Sequence, residues 1–473
     1  MKNLNYIFAA LLAVAALSSS CTKELNLGNT VDETRFLSAV TPTISIRDSK
    51  DKAYFHTEEI HADETSISLS AALINAADKD VTVEFKVGDE SIVTSYNKKH
   101  ETSYIMFPAA NVDFGGQTLT ISRGSKSTEG KIDVKLTFND TDFTEDFATY
   151  VIPVVATTTA EGVNVGDPFL IFAKDWRKTP DNRKYITGTD RTMTIFNCTE
   201  AGGNNILNNL SFRLKNSGQY LIDCVLLFTN DIKYNDISGE LEIAPKTGPD
   251  AQAGRPETII DVMHAHGVKV ILSITNYGVT QLDEVSSKEY AKKIAQYCEA
   301  FNLDGVFFDD EYTKLDTYRP NFVDCSPANG ARLCYETKMA MPDKMVVTYL
   351  YNNFRYVTDI AEVDGVPMKD IVDFALNNYG ETTVPKALPA SQVAYKSDNF
   401  AQSYMNVSTN KALTCTQIKN AGYGAHFFYV LTPGRWKETN EMSQYVRPSL
   451  TNIGKVWFND EVICEDWDAD ADW

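Results

Sequence analysis

The chain has 473 residues and carries 44 basic and 64 acidic side chains, which gives a formal net charge of −20. Hydrophobic residues make up 43% of the sequence and charged residues 23%, as in ordinary globular proteins, which argues against a disordered chain and a multi-pass membrane protein. At roughly 100–200 residues per domain, the length predicts two or three domains. Because nucleic-acid-binding grooves usually show a basic surplus, the acidic balance argues against nucleic acid as a partner.

The first residues have the pattern of a bacterial secretion signal. A basic start precedes an apolar run over 7–17, and three serines lead up to Cys21. The apolar run is too short to cross a bilayer core of about 30 Å as a helix. A cysteine after small residues resembles a lipoprotein signal, so we expect residues 1–20 to be removed and lipid to be attached to Cys21. Residues 21–39 would then be a tether to the outer membrane, with the protein facing the periplasm or the cell surface. Ordinary signal cleavage, with Cys21 incidental, is the alternative.

The cysteines do not predict a dense disulfide framework. The chain has eight, and seven remain once Cys21 is assigned to the lipid anchor. Cys325 and Cys334 flank a loop-like stretch and could pair in an oxidising compartment. The scattered histidines give no metal-ligand spacing, so no metal site is expected.

Apolar and polar residues alternate with period two over 40–172, which predicts antiparallel strands. Segments 81–87 and 132–138 show the pattern most clearly, and Gly-Gly and Asn-Asp pairs mark turns between strands. Pro153 suggests an edge strand or a bulge. No segment with a helical period stands out here. The pattern therefore predicts an all-β sandwich over 40–174, followed by a polar, proline-interrupted linker over 175–184.

Residues 185–460 have a different organisation, in which continuous apolar runs alternate with helical patterns. The runs are typical of strands buried on both faces of a parallel sheet, and they cover 220–228, 268–274, 305–308, 345–350, 371–376 and 425–430. Helices are predicted over 256–266 and 287–303. About 275 residues of this kind fit an α/β fold, the (β/α)8 TIM-type barrel. A doubly wound open sheet is the alternative, although no glycine-rich phosphate loop follows an early strand. Residues 461–473 read as an acidic tail.

Three acidic residues, Asp309, Asp310 and Glu311, follow one of these apolar strands. In a β/α barrel the carboxyl ends of the strands form the active-site face. Because side chains alternate along a strand, Asp309 and Glu311 share one face, with Cα atoms about 6.6 Å apart. Two carboxylates this close cannot both ionise readily, so the pKa of one rises, which suits a general acid near neutral pH. A solvated acidic turn is the alternative interpretation.

The segment from Leu303 to Tyr312 resembles the signature of family 18 glycoside hydrolases, Asp-x-x-Asp-x-Asp-x-Glu on the fourth barrel strand. Its Asp-Asp-Glu-Tyr ending is most similar to endo-β-N-acetylglucosaminidases of the Endo H and Endo F type. Further segments resemble the third strand, the lead-in to the fifth, the end of the sixth and the start of the eighth, namely 267–273, 341–344, 376–380 and 422–425. The sandwich resembles the domain of unknown function 1735, which precedes such barrels.

The resemblance implies a monomeric enzyme without metal or organic cofactor that acts on N-linked glycans or glycoproteins. It would hydrolyse the β-1,4 bond between the two core N-acetylglucosamines. Glu311 would be the general acid/base, and Asp309 would orient the substrate acetamide. Substrate contacts are implied for Tyr379, Tyr312 and Asn377, and structural parts of the motif for Asp304, Gly305 and Ser273. Since both carboxylates project from one strand, the nucleophile would be the 2-acetamido oxygen of the substrate itself.

Two departures from the family pattern fall close together. Phe307 replaces the middle Asp of the motif, and Thr275-Asn276 replaces a glycine pair after the third strand. In the family, the middle Asp and the serine at Ser273 are partners of Asp309, so Phe307 should disfavour the charged form of Asp309. Either Asp309 has lost a partner, or the interior has repacked with Ser273 or Asn276 meeting Asp309, which we favour. A catalytically weak or inactive glycan-binding lipoprotein on the same barrel is the alternative function.

Overall fold

The computed structural model describes residues 41–50, 53–199, 206–245, 259–275, 278–311, 322–378, 380–396, 414–429, 431–437 and 446–465. The chain divides into two units, Met1–Lys178 and Thr179–Trp473. The predicted signal peptide, Cys21 and the tether lie outside the described residues, as do Tyr312, Tyr379 and Asn276. Within the described helices, none has the length and apolar composition that crossing a membrane requires.

The first unit is a sandwich of two sheets with one hydrophobic core between them. Its strands are β1 Thr43–Asp48, β2 Phe55–Ile60, β3 Glu64–Leu73, β4 Val81–Val87, β5 Ile105–Met106, β6 Val112–Asp113, β7 Leu119–Ile121, β8 Ile132–Thr137, β9 Thr149–Thr157, β10 Asn164–Val165 and β11 Phe169–Asp175. One sheet has the order β10-β1-β3-β8-β6 and the other β2-β11-β9-β4-β7, with β5 beside β9. Alternation puts Val81, Val83 and Phe85 into the core while Thr82, Glu84 and Lys86 face solvent, so the predicted sandwich is confirmed.

The sequence pattern predicted no helix in this unit, and this prediction is wrong. Helix α1 covers Glu90–His100 and begins after Asp89, whose side chain accepts a hydrogen bond from the backbone N–H of Ser91. Val93 is the one fully buried residue of α1, so the helix lacks the apolar stripe that periodicity detects. Its signals are instead the capping aspartate and the basic residues of its last turn.

Pro153 lies in an internal strand, so the predicted edge position is also wrong. β9 is flanked by β11 on one side and by β4 and β5 on the other. The β4 ladder stops at Val154 and the β5 ladder covers Tyr150 and Val151, which leaves Pro153 between the two. The missing N–H of Pro153 therefore falls where no ladder hydrogen bond is needed, and its carbonyl accepts one from Gly88.

Eight parallel strands form a closed barrel in the second unit. They are β12 Thr194–Thr199, β14 Cys224–Tyr234, β16 Lys269–Thr275, β17 Gly305–Asp309, β18 Met345–Leu350, β21 Phe374–Asn377, β22 Val393–Lys396 and β23 Ala425–Tyr429. β12 pairs with both β14 and β23, which closes the ring, so the TIM-type barrel is confirmed and the open sheet is wrong. Short accessory strands are β13 Phe212–Leu214, β15 Leu241–Pro245, β19 Glu362–Val363, β20 Val366–Pro367 and β24 Val462–Cys464.

Helices connect the barrel strands and pack around them. The described α-helices are α2 Asp261–Ala265, α3 Glu284–Ala300, α4 Pro327–Ala340, α5 Phe354–Val357, α6 Met368–Ile371, α7 Cys415–Ala421, α8 Pro433–Lys437 and α9 Val446–Ile453. The predicted helix over 287–303 corresponds to α3, which starts three residues earlier because Asp283 caps it through the N–H of Ser286. Within the described residues the predicted helix over 256–266 is limited to α2.

Two further expectations concern the connections. The predicted linker 175–184 contributes the buried Trp176 to the first unit and the buried Lys184 to the second, where Lys184 forms an ion pair with Asp223. Cys325 and Cys334 are both free thiols, so the suggested disulfide is wrong. Cys334 is fully buried on α4, whereas Cys325 is half-buried before that helix begins.

Gly305 permits the close approach of β17 to β18, and this predicts a large effect of a single methyl group. A Cβ atom at Gly305 would lie 2.2 Å from the carbonyl oxygen of Met345. We expect Gly305→Ala to lower the free energy of unfolding by about 2–3 kcal/mol, because backbone atoms must move. Gly434→Ala is the matched control, since its Cβ would meet nothing nearer than 3.7 Å. Equal thermal melting temperatures for the two variants would contradict the close approach.

Candidate active site

The barrel interior is apolar, and its polar groups stand toward the carboxyl ends of the strands. Interior side chains include Ile271, Phe307, Val347, Ala394 and Phe427. Side chains two residues apart on a strand share a face, so the residue two places after Phe307 and the residue two places after Ala394 continue this interior. These residues are an aspartate on β17 and a lysine on β22, which brings an acidic and a basic group into a nearly dry space.

Asp309 is the last residue of β17 and is 2% exposed. Its Oδ1 accepts a hydrogen bond of 2.9 Å from the backbone N–H of Glu311. Burial, and secondly the negative charge of Glu311, raise the pKa of Asp309 to about 8. The raised pKa expected for one member of the pair therefore falls on Asp309, which retains its proton near neutral pH.

Lys396 is a site residue that the sequence analysis missed. It ends β22, is 3% exposed, and donates a hydrogen bond of 2.9 Å to the Tyr349 hydroxyl. Its Nζ lies 4.7 Å from the ring centroids of Tyr349 and Phe427 and 5.0 Å from that of Tyr429. Burial lowers the pKa of Lys396 to about 7, against the opposing effects of Cys198, Asp309 and Glu311. The sequence does contain a signal for this residue, because Lys396 is a charged residue at the end of a strand that is otherwise apolar.

Phe307 is packed within the interior, as the repacking hypothesis expects. It is 2% exposed, and its ring centroid lies 6.2 Å from that of Tyr349 and 6.5 Å from that of Phe427. The suggested contact of Ser273 with Asp309 is wrong, because the Ser273 hydroxyl has no hydrogen-bond partner among the described residues. The strand register explains this, since Ser273 stands beside Phe307 rather than beside Asp309.

Asp310 has a structural role on the opposite side of β17. Its Oδ2 accepts hydrogen bonds of 3.1 Å from both the backbone N–H and the side-chain amide of Asn353. Thr280 donates to Oδ1 at 3.3 Å, and the Asn352 amide donates to the Asp310 carbonyl at 2.8 Å. Because Asp309 and Asp310 are both buried, the interpretation of this segment as a solvated acidic turn is wrong.

The remaining motif residues lie at different levels of the barrel. Asp304 precedes β17 at the amino end, where its Oδ2 accepts a 2.7 Å hydrogen bond from the N–H of Val270 and lies 2.7 Å from Nε2 of His264. Asn377 is fully buried, and its amide donates to the Thr383 carbonyl rather than facing an open cleft. Asn378, the next residue, lines the cleft instead.

An open cleft of about 610 Å³ lies next to Asp310, at the carboxyl ends of β17, β18 and β21, and neither Asp309 nor Glu311 lines it. Amide and aromatic side chains dominate its wall, which suits neutral sugars. The lining residues are Asp310, Cys325, Leu350, Tyr351, Asn352, Asn353, Arg355, Tyr356, Asn378 and Glu381. Tyr351 stacks on Tyr349 with ring centroids 6.0 Å apart, which connects the cleft to the barrel interior.

The raised pKa of Asp309 predicts how stability depends on pH. Between its ordinary pKa near 4 and the folded value of about 8, the folded state binds a proton that the unfolded state releases. This group therefore makes the protein less stable as pH rises. We expect the difference in unfolding free energy between Asp309→Asn and wild type to change in favour of the variant by on the order of 3 kcal/mol from pH 4.5 to pH 7.

Urea denaturation at several pH values measures this difference. The exposed carboxylate substitution Asp343→Asn controls for the loss of one negative charge. A constant difference between wild type and Asp309→Asn across this pH range would show that Asp309 ionises normally.

Comparison of sequences identifies relatives of both units. A family model for an N-terminal domain matches residues 40–162. Endo-β-N-acetylglucosaminidase F1 of Elizabethkingia meningoseptica is 34% identical over 302 residues, which cover 62% of this chain and 86% of that protein. An endo-β-N-acetylglucosaminidase of Flavobacterium sp. (strain SK1022) is 24% identical over 289 residues, which cover 59% of this chain and 85% of that protein.

Comparison of structures gives a match over both units. The crystal structure of Bacteroides thetaiotamicron EndoBT-3987 with Man5GlcNAc product has a TM-score of 0.53 and 27% identity, and the match covers 89% of this chain and 96% of that chain. The same protein with Man9GlcNAc2Asn substrate gives a TM-score of 0.51 and 26% identity, with 89% and 95% covered. Together with the match to enzyme F1, these similarities show that the chain belongs to the endo-β-N-acetylglucosaminidases of the family 18 glycoside hydrolases.

Proposed function

We propose that the protein hydrolyses the β-1,4 bond between the two core N-acetylglucosamines of N-glycans. The observation that carries this proposal is the placement of Asp309 and Glu311 at the carboxyl end of the fourth barrel strand, within a chain of this enzyme family. The related EndoBT-3987 has been crystallised with a Man9GlcNAc2Asn substrate and a Man5GlcNAc product, which supports the same class of substrate. Asp309 and Glu311, the two carboxylates that take part in the proposed reaction, are present, which favours an enzyme over a catalytically inactive glycan-binding protein.

The first chemical step cleaves the glycosidic bond. Glu311 donates its proton to the leaving glycosidic oxygen, and the 2-acetamido oxygen of the substrate attacks C1 to form an oxazolinium ion. Asp309 acts in its ionised form, in which its carboxylate accepts a hydrogen bond from the acetamide N–H and stabilises the positive charge that develops on that group. The second step returns the enzyme to its starting state, because ionised Glu311 takes a proton from the water that attacks C1. The two inversions at C1 retain its configuration.

Substrate contacts follow from the cleft and the motif. We assign Tyr379 and Tyr312 to substrate binding on their motif positions, with the acetamide as the partner of Tyr379. Asn378 takes the place proposed for Asn377, since it lines the cleft and is held by the Tyr349 hydroxyl at 2.7 Å.

Substitution of the general acid tests the proposal. We expect wild type to release glycans that carry one reducing-end N-acetylglucosamine and to leave the other on asparagine. Glu311→Gln should reduce kcat by roughly 10²–10⁴-fold, because the variant can neither protonate the leaving oxygen nor activate water. Mass spectrometry of sugars released from a high-mannose glycoprotein measures both effects.

Glu362→Gln is the matched control, because it removes an exposed carboxylate from the same unit. It should behave as wild type. Binding of glycoproteins by wild type without any release would contradict the enzyme and support the glycan-binding alternative.

We further propose that lipid on Cys21 anchors the protein to the outer membrane, facing the periplasm or the cell surface. The support is the sequence pattern before Cys21. Cys21→Ser should move the protein from the membrane fraction to the soluble fraction of fractionated cells. Cys325→Ser controls for loss of a thiol, and a Cys21→Ser protein that remains in the membrane fraction would contradict the anchor.

A further inference from the structure

Lys396 carries a charge within the barrel interior that the proposed reaction steps leave without a role. Its ammonium group is enclosed by the rings of Tyr349, Phe427 and Tyr429. Two of these rings, those of Tyr349 and Phe427, also pack against Phe307. The position that the family motif fills with an aspartate is therefore apolar here, and a cation from the seventh strand contacts the same aromatic walls.

The five charged and titratable groups that face Lys396 come from four strands of the barrel. Cys198 lies on β12, Tyr349 on β18 and Tyr429 on β23, and the two carboxylates, Asp309 and Glu311, lie at the end of β17. Lys396 in turn lowers the pKa of Asp309, although burial and the charge of Glu311 raise that pKa by more. The lysine is thus a countercharge to the acid pair.

A directed chain of hydrogen bonds links Lys396 to the cleft. The ammonium ion has donors and no acceptor, so the Tyr349 hydroxyl must accept from it at 2.9 Å. The hydroxyl then directs its own proton to Oδ1 of Asn378 at 2.7 Å. Because the hydroxyl donates to Oδ1, the oxygen of the Asn378 amide faces Tyr349 and its NH₂ group points away from Tyr349. The charge on Lys396 thereby determines which way the amide of a cleft-lining side chain points.

We propose that Lys396 is a positioning residue for the hydrolysis, as the countercharge of the Asp309–Glu311 pair and, through Tyr349, as the group that orients the Asn378 amide toward the substrate. This inference rests on the proposed endoglycosidase function. It explains how the site retains a charged partner for Asp309 although Phe307 has replaced the middle aspartate of the motif.

The two roles of Lys396 predict different kinetic effects. Without the cation, ionised Asp309 is less favoured, so the acidic limb of kcat/KM should move to higher pH by about one unit in Lys396→Met. At a pH below that limb, one unit corresponds to a roughly tenfold lower rate. Tyr349→Phe keeps the cation but breaks the chain to Asn378, so it should raise KM and leave the acidic limb in place.

The experiment measures kcat and KM from pH 4.5 to pH 9 for wild type, Lys396→Met and Tyr349→Phe on a high-mannose glycopeptide. Thermal melting accompanies each profile, and we expect Lys396→Met to melt no lower than wild type, because replacing a buried charge with an apolar side chain of similar length is often neutral or stabilising. A loss of activity through misfolding would lower the melting temperature, whereas a shift in the acidic limb of the kcat/KM profile reports on the ionisation of Asp309.

An unshifted acidic limb in folded Lys396→Met would overturn the countercharge. Should that variant not fold, the Tyr349→Phe protein decides, and an unchanged KM there overturns the positioning of Asn378. If wild type releases no glycan, the proposed function itself fails, and the inference fails with it. These results are distinguishable because wild type is measured first and on the same glycopeptide.

Discussion

Asp309 and Lys396 are an acid and a base that the barrel interior holds away from water, at 2% and 3% exposure. Burying either charge alone would be costly, and partnership with an opposite charge and with hydrogen-bond donors offsets part of that cost. Burial moves the two pKa values toward each other, to about 8 for the acid and about 7 for the lysine. Both groups therefore change their protonation state near neutral pH, so the charge that surrounds Glu311 depends on pH in that range.

The barrel holds this arrangement by fixing β17 at both ends. At the amino end, Asp304 binds the backbone of β16, and Gly305 lets β18 approach closely. At the carboxyl end, Asp310 binds Asn353 in the loop after β18. Asp309 and Glu311 flank Asp310 on the other side of the strand. Their direction toward the interior and the mouth of the barrel thus follows from an anchor that does not take part in the chemistry.

Sequence patterns predicted the parts of the fold whose local signal agrees with their environment. Long apolar runs predicted six of the barrel strands, and the acidic motif predicted Asp309 and Glu311. β12 and β22 were missed, because β12 contains the polar Asn197 and β22 has four residues and ends in a charge. From the sequence alone, Lys396 resembles a surface residue. Its burial depends on contacts with strands that are distant in the chain and that meet only when the barrel closes. Pro153 was misplaced for the same reason, because a gap between two neighbouring ladders cannot be read from one strand.

Burial beside Glu311 makes Asp309 retain its proton near neutral pH. Carbon-13 NMR titration of aspartate side-chain carboxyls measures this protonation, with the Asp309 signal identified by its absence from Asp309→Asn. We expect a titration midpoint near the folded pKa of about 8. A midpoint near 4, as for an aspartate in water, would contradict it.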